Sequence, residues 1–171
     1  MKIYFNGAAH DVTGSQFVLY VNGQSLMIDC GLYQGENAYE RNVNFRFNPQ
    51  KLDAAILTHA HIDHSGNLPN LVKSGFEGPI YTTPATADLA DIMLRDSGNI
   101  QEDDAQFLSK KFNEKYEPIY TAQDAARVKK QFQTRDYKQA FQPLRGVTAR
   151  LYDAGHILGS ASVCLDRKSV V

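Results

Sequence analysis

The chain has 171 residues, of which 43% are hydrophobic and 22% charged, with a formal charge of −1. That length suits one domain with a sizeable core, and the composition is ordinary for a globular protein. The near-zero charge supplies no broad basic footprint for nucleic acid, although it leaves a local basic groove open. No apolar run reaches membrane-spanning length, and residues 1–5 lack the apolar segment of a secretory signal, so a cytoplasmic location is expected. Cys30 and Cys164 lie far apart and in no Cys-x-x-Cys pair, which argues against a disulfide framework or a cysteine zinc site. Both occupy apolar, strand-like contexts and read as buried free thiols.

In chain order, apolar runs at residues 2–6, 16–21 and 25–29 predict strands, with Asn22-Gly23 as a hairpin turn between the last two. Residues 31–50 read as a polar and aromatic loop. Residues 54–58 predict a buried strand, 68–74 a short helix and 79–82 another strand. Thr83-Pro84 is a helix start, because threonine can cap and proline suits the first helical position. Ala85, Leu89, Ile92 and Met93 follow at helical spacing, and residues 103–116 are charged and helical in part. A capping box at Thr121 and Asp124 precedes Ala125, Val128 and Phe132 at helical spacing. Strand signals return at 147–152 and 160–166. Residues 167–171 read as a hairpin turn entering a further strand, so the chain is expected to be a piece of a longer protein.

Four of the five histidines fall in two motifs, His59-Ala60-His61-Ile62-Asp63-His64 and Gly155-His156-Ile157-Leu158-Gly159. Imidazole and carboxylate are the usual ligands of zinc and similar ions. His59 and His61, two apart on an extended segment, can point to one side and share a metal. Asp63 and His64 lie where the loop curls into a helix and could reach a second ion. Two ions roughly 3.5–4 Å apart clamp the attacking and leaving oxygens of phosphodiester cleavage and acidify water to a pKa of about 7. His156 alone reads equally as a satisfied core histidine or a ligand. Beside the first motif it reads as a third ligand, because zinc takes three or four. Gly155 and Gly159 suit a loop whose backbone approaches the site closely.

Four segments come in order: Gly7-Ala-Ala-His-Asp-Val-Thr-Gly-Ser15, Met27-Ile-Asp-Cys-Gly-Leu-Tyr-Gln-Gly35, Leu57-Thr-His-Ala-His-Ile-Asp-His-Ser-Gly66 and Ala154-Gly-His-Ile-Leu-Gly-Ser160. The histidine motif resembles the signature of the metallo-β-lactamase superfamily. Together the four look like its β-CASP ribonucleases, the group that includes ribonuclease J and the endonuclease of mRNA 3′-end cleavage. The segment Pro118-Ile-Tyr-Thr-Ala-Gln-Asp-Ala125 is similar as well. The resemblance implies an α/β fold, with residues 1–171 forming the N-terminal half of an αββα sandwich with a mixed sheet and helices on its outer face. It implies RNA phosphodiester hydrolysis by two Zn2+ ions and a bridging hydroxide. RNA is then the substrate partner, no membrane is involved, and the complete protein is compatible with a homodimer.

Carried over position by position, the first metal belongs to His59, His61 and His156, and the second to Asp63 and His64. Asp29 falls on the family's first-motif aspartate and is expected to orient a ligand histidine, its alternative being a turn-forming aspartate. Asp63 is also placed for proton transfer. His10-Asp11 stands where many members have an Arg-Glu pair, and reads either as groove lining or as a polar loop. Ser160, Thr13 and Ser15 are expected to serve backbone hydrogen bonding. Lys110, Lys111, Lys129 and Lys130 could meet phosphates or form solvated helix faces. The family's Gly-Asp strand end, whose aspartate bridges both metals, has no match, since Asp166 falls too early and lacks the glycine. The β-CASP domain and the returning half of the fold are likewise absent from these residues. The 171 residues are therefore expected to bind one metal weakly and to show little nuclease activity. Rival readings are a hydrolase of a small thioester, lactone or phosphodiester, and a non-catalytic RNA-binding scaffold.

Overall fold

The computed structural model describes residues 1–167, so the turn expected at 167–171 lies outside the described residues except for Arg167, which is still in a strand. Strands β1 (Lys2–Phe5), β2 (Gln16–Val21) and β3 (Gln24–Cys30) form an antiparallel meander. Asn22 and Gly23 both take positive φ, the turn that suits the right-handed twist of a tight hairpin. A helix, α1 (Ala38–Val43), then interrupts the segment read as loop. Its cause is tertiary, which explains its silence in the sequence. Buried Asn42 exchanges hydrogen bonds with the backbone N–H and carbonyl of Tyr33, at 2.8 and 3.0 Å, and its own carbonyl accepts from Asn67 and Asn70.

Strand β4 (Ala54–Ile56) pairs in parallel with β3, and α2 (Ile62–Ser65) and α3 (Leu68–Lys73) lead to β5 (Ile80–Thr82). Helix α4 (Pro84–Phe112) runs unbroken for 29 residues, roughly 43 Å at 1.5 Å per residue. Thr83 caps it by accepting from the Thr86 N–H. Its inward face is Thr86, Ala87, Ala90, Leu94 and Gly98, whereas Ile92, expected on the apolar side, is 67% exposed. Helix α5 (Ala122–Val128) opens with the Thr121–Asp124 capping box and closes in a single 3-10 turn. Phe132 therefore belongs to strand β6 (Phe132–Thr134), opposite Ile80, and not to a helix. The helical spacing extended one turn too far there.

The result is a six-stranded mixed sheet in sequential order, antiparallel through β3 and parallel from β3 to β6. A second, antiparallel sheet holds β7 (Phe141–Leu144), β8 (Val147–Asp153) and β9 (Ala161–Arg167). The sequence reading missed β7 because Pro143 breaks its pattern; such a strand is tolerated at a sheet edge, where β7 sits. Alternation explains the continuous apolar runs of β2–β5. Val18, Met27, Ala55 and Ile80 pack on the helices, while Leu19, Leu26, Ile56 and Tyr81 meet Phe141, Ala149 and Leu151 of the second sheet. Helices, sheet and sheet thus form three packed layers, with the mixed sheet and the helices on its outer face as expected. The same alternation corrects Cys164, which faces outward on β9 and is exposed, whereas Cys30 is buried.

Candidate metal centre

The carboxyl ends of β3, β4 and β5 converge, the position at which open α/β sheets present ligands. Asp29, the penultimate residue of β3, has φ of 56°, a left-handed conformation that aspartate tolerates better than most residues. It is buried, and one carboxylate oxygen accepts from the Thr58 N–H at 2.8 Å. The other accepts from the Thr58 hydroxyl and faces His64 Nδ1, both at 2.8 Å. Counting protons then sets a tautomer. The single proton of Thr58 Oγ1 goes to Asp29, so its 2.9 Å contact with His59 Nδ1 requires His59 to donate from that nitrogen. His59 Nε2 is left with a free lone pair. Burial, with the charge of His64 next, holds the His59 pKa down to about 4, so its ring is neutral at pH 7. At His64 burial opposes the cation, yet the hydrogen bond and charge of Asp29 outweigh it and the pKa is raised.

Helix α2 starts at once after His61, its N-cap residue, and so sets Asp63 and His64 beside the cluster with Nε2 of His64 3.7 Å from Asp63. Two backbone bonds seat this turn: Ser15 N–H to the Asp63 carbonyl at 2.8 Å and Leu32 N–H to the Ile62 carbonyl at 3.0 Å. Gly31 allows it, because a Cβ there would lie 1.6 Å from the Asp63 carbonyl oxygen. His156 arrives from the other sheet, on the β8–β9 connection. The Ala161 N–H donates to the Thr58 carbonyl at 2.9 Å and pins that connection over the end of β4.

His59, His61 and His156 are thereby gathered, each with a ligand nitrogen within 4.8 Å of the others. His61 Nδ1 and His156 Nε2 are 3.1 Å apart. Two nitrogens bound at 2.0–2.1 Å to a tetrahedral ion are about 3.3 Å apart, so the spacing and the all-nitrogen donor set fit a divalent transition-metal cation. A cavity of about 610 Å³ opens beside His156, lined among others by Thr83, Tyr137, Asp153 and Leu158. That volume is typical of ligand sites.

The sequence of residues 11–169 matches the metallo-beta-lactamase superfamily. The chain belongs to that superfamily. Within it, the chain is 34% identical to ribonuclease TTHA0252 of Thermus thermophilus over 163 residues, covering 95% of this chain and 34% of that protein. It is 31% identical over 164 residues to cleavage and polyadenylation specificity factor subunit 3-II of Arabidopsis thaliana, covering 92% and 25% respectively. These are the β-CASP relatives that the four motifs resemble, and the chain spans about a third or less of their lengths. Among solved structures, a metallo-β-lactamase of Cronobacter sakazakii superposes with a TM-score of 0.56 at 17% identity. It covers 95% of this chain and 51% of its own, a likeness of fold.

In this superfamily member the polar residues outside the histidine cluster divide clearly. Asp11 pairs with Arg41 at 2.8 Å, and that hydrogen bond, more than any other cause, lowers its pKa. Arg41 in turn lies 3.8 Å from the Tyr33 ring centroid, so Asp11 serves an exposed loop brace. His10 is exposed, with φ of 59°. Lys129 is paired with Asp91 at 2.8 Å, while Lys110, Lys111 and Lys130 are exposed. Ser160 accepts from the His156 and Ile157 amides at 3.1 and 3.2 Å, and Thr13 from the Gln34 amide, as their expected local roles require. Gly155 meets nothing within 4 Å of a built Cβ, so its need is a positive φ and not close approach; Gly159 has both. Thr58 and Thr86 passed unnoticed in the sequence. Thr58 had a signal in its place before His59, whereas Thr86 had none.

Proposed function

We propose that this chain carries the first-cation half of a zinc-dependent ribonuclease site. The observation that carries the reading is the convergence of His59, His61 and His156 from two sheets. Those three nitrogens would hold the first Zn2+, and Asp63 and His64 would contribute to a second. A bound cation supplies positive charge to the phosphoryl oxygens and a water acidified toward neutrality. Asp29 orients His59 through Thr58 and His64 directly, and the half-buried Asp63 carboxylate is placed to accept a proton. RNA as substrate is supported by the 34% identity to a ribonuclease across 95% of the chain. The cytoplasm is supported by two free cysteines, and no helix among the described residues is long and apolar enough to cross a membrane.

Among the described residues two donors, Asp63 and His64, stand ready for the second cation, so the 171-residue chain should hold roughly one Zn2+ and cleave RNA slowly. Metal analysis after dialysis and a labelled single-stranded RNA assay test both points. We expect His59→Ala to lose the ion and Asp63→Ala to abolish the residual cleavage. RNA bound without metal-dependent cleavage would point to the scaffold reading. Faster turnover of a thioester or lactone than of RNA would point to the small-substrate hydrolase.

A further inference from the structure

The loop that carries His156 rests on two hydroxyls from the start of α4. Thr83 Oγ1 and Thr86 Oγ1 lie 2.7 and 2.8 Å from the carbonyl oxygen of Gly159. Both threonines are buried, at 3% and 0% exposure. The Gly159 carbonyl has two lone pairs and can accept from both hydroxyls, and the two hydroxyl oxygens lie 3.0 Å from each other, so the three oxygens form one small triangle that shares two protons. Thr83 Oγ1 still accepts the Thr86 N–H as the helix cap, at 3.2 Å. The fit is tight as well as polar. A Cβ at Gly159 would lie 2.6 Å from the Thr86 nitrogen and 2.7 Å from either hydroxyl oxygen, and φ there is +80°.

Between this anchor and His156 the loop has little freedom. The Ser160 N–H donates to the Ile157 carbonyl at 2.9 Å, the Ala154 N–H to the Ser160 carbonyl at 3.1 Å, and Ser160 Oγ accepts from the His156 amide. Tyr137 adds a donor to the Ser160 carbonyl at 2.9 Å. A shift of the Gly159 carbonyl therefore moves the His156 backbone as a unit. The Ala161 N–H to Thr58 carbonyl bond ties the same connection to the strand end that carries His59.

We infer that Thr83 and Thr86 are positioning residues for the histidine cluster. Their hydroxyls, joined on the Gly159 carbonyl, hold the loop where His156 meets His59 and His61. This rests on the cation-binding reading of those histidines. It also explains why a helix start and a hairpin tip more than 70 residues apart in sequence meet through polar groups in a buried place.

The test is a Co2+ titration of the full chain followed by visible absorption, which reports coordination geometry without any turnover. Wild type should bind, and His156→Ala should bind weakly. Thr86→Val, close in shape but without the donor, should lose about 10- to 100-fold in affinity and change the absorption of the bound ion. Thr86→Ser, which restores the hydroxyl, should restore both. Gly159→Ala, which keeps both hydroxyls and displaces the carbonyl, should show the same loss and serves if Thr86→Val does not fold. Wild-type affinity and spectrum in either displaced variant, or failure of Thr86→Ser to recover, would overturn the positioning role. Equal binding by wild type and His156→Ala, or none by wild type, would instead overturn the cation reading itself.

Discussion

Two segments deliver histidines to one point by different means. The strand-end segment 58–64 is rooted beneath the first sheet, where buried Asp29 accepts three hydrogen bonds and His59 is 8% exposed. The loop 154–160 is a hairpin tip over solvent, with His156 exposed and its backbone held from below by threonine and serine hydroxyls. The first segment is organised by one charge whose removal would strand several donors. The second is organised by docking, through neutral groups that each contribute modestly. The proposed cation site needs both, but stability should depend mainly on the first.

The largest expected effect breaks the first segment. Asp29→Ala leaves the Thr58 amide and the His64 Nδ1 proton without acceptors, and should cost about 3 kcal/mol. The urea midpoint of the metal-free chain measures it, and a loss under about 1 kcal/mol would mean that water replaces the carboxylate. Ser160→Ala tests the loop in the same way. It removes the acceptor of the His156 and Ile157 amides and should cost only about 1 kcal/mol.

A smaller difference depends on pH. The folded-state pKa of His59, about 4, lies below the ordinary value of about 6.5, so on acidification the unfolded chain takes up that proton first. Metal-free wild type should lose stability relative to His59→Ala between about pH 6.5 and 4, and show no such divergence above about pH 7. Unfolding curves of the two at neutral pH and near pH 5 would reveal it; parallel behaviour would refute the burial of a neutral ring. The smallest effect sharpens the contrast. His156→Ala, at an exposed site, should alter metal-free stability by less than about 0.5 kcal/mol while strongly weakening cation binding.

Much of this was legible in the residues, for physical reasons that differ by element. Strands β2–β5 announced themselves because both faces are buried, which demands unbroken apolar runs. Both α4 and α5 announced their starts through Thr83 and the Thr121–Asp124 box, since a capping hydroxyl must sit at a set spacing from the amide it accepts. Helix α1 did not, because Asn42 is held by Tyr33, Asn67 and Asn70 from elsewhere in the chain. Nor did Phe132 reveal itself as a strand residue, since its partner Ile80 lies 52 positions earlier.

The candidate site divides along the same line. His59, His61, Asp63 and His64 are dense in sequence because one turn at a strand end can present them all, and such clustering of donors has few structural causes. The sequence by itself therefore determined the donor types, the strand-end placement and the superfamily. Only the tertiary structure decided the His59 tautomer, through Asp29 and Thr58, and the placement of His156, through Thr58, Thr83 and Thr86. Hydrogen bonds between distant segments carry no local spacing, so threonines that act by them look in sequence like any others.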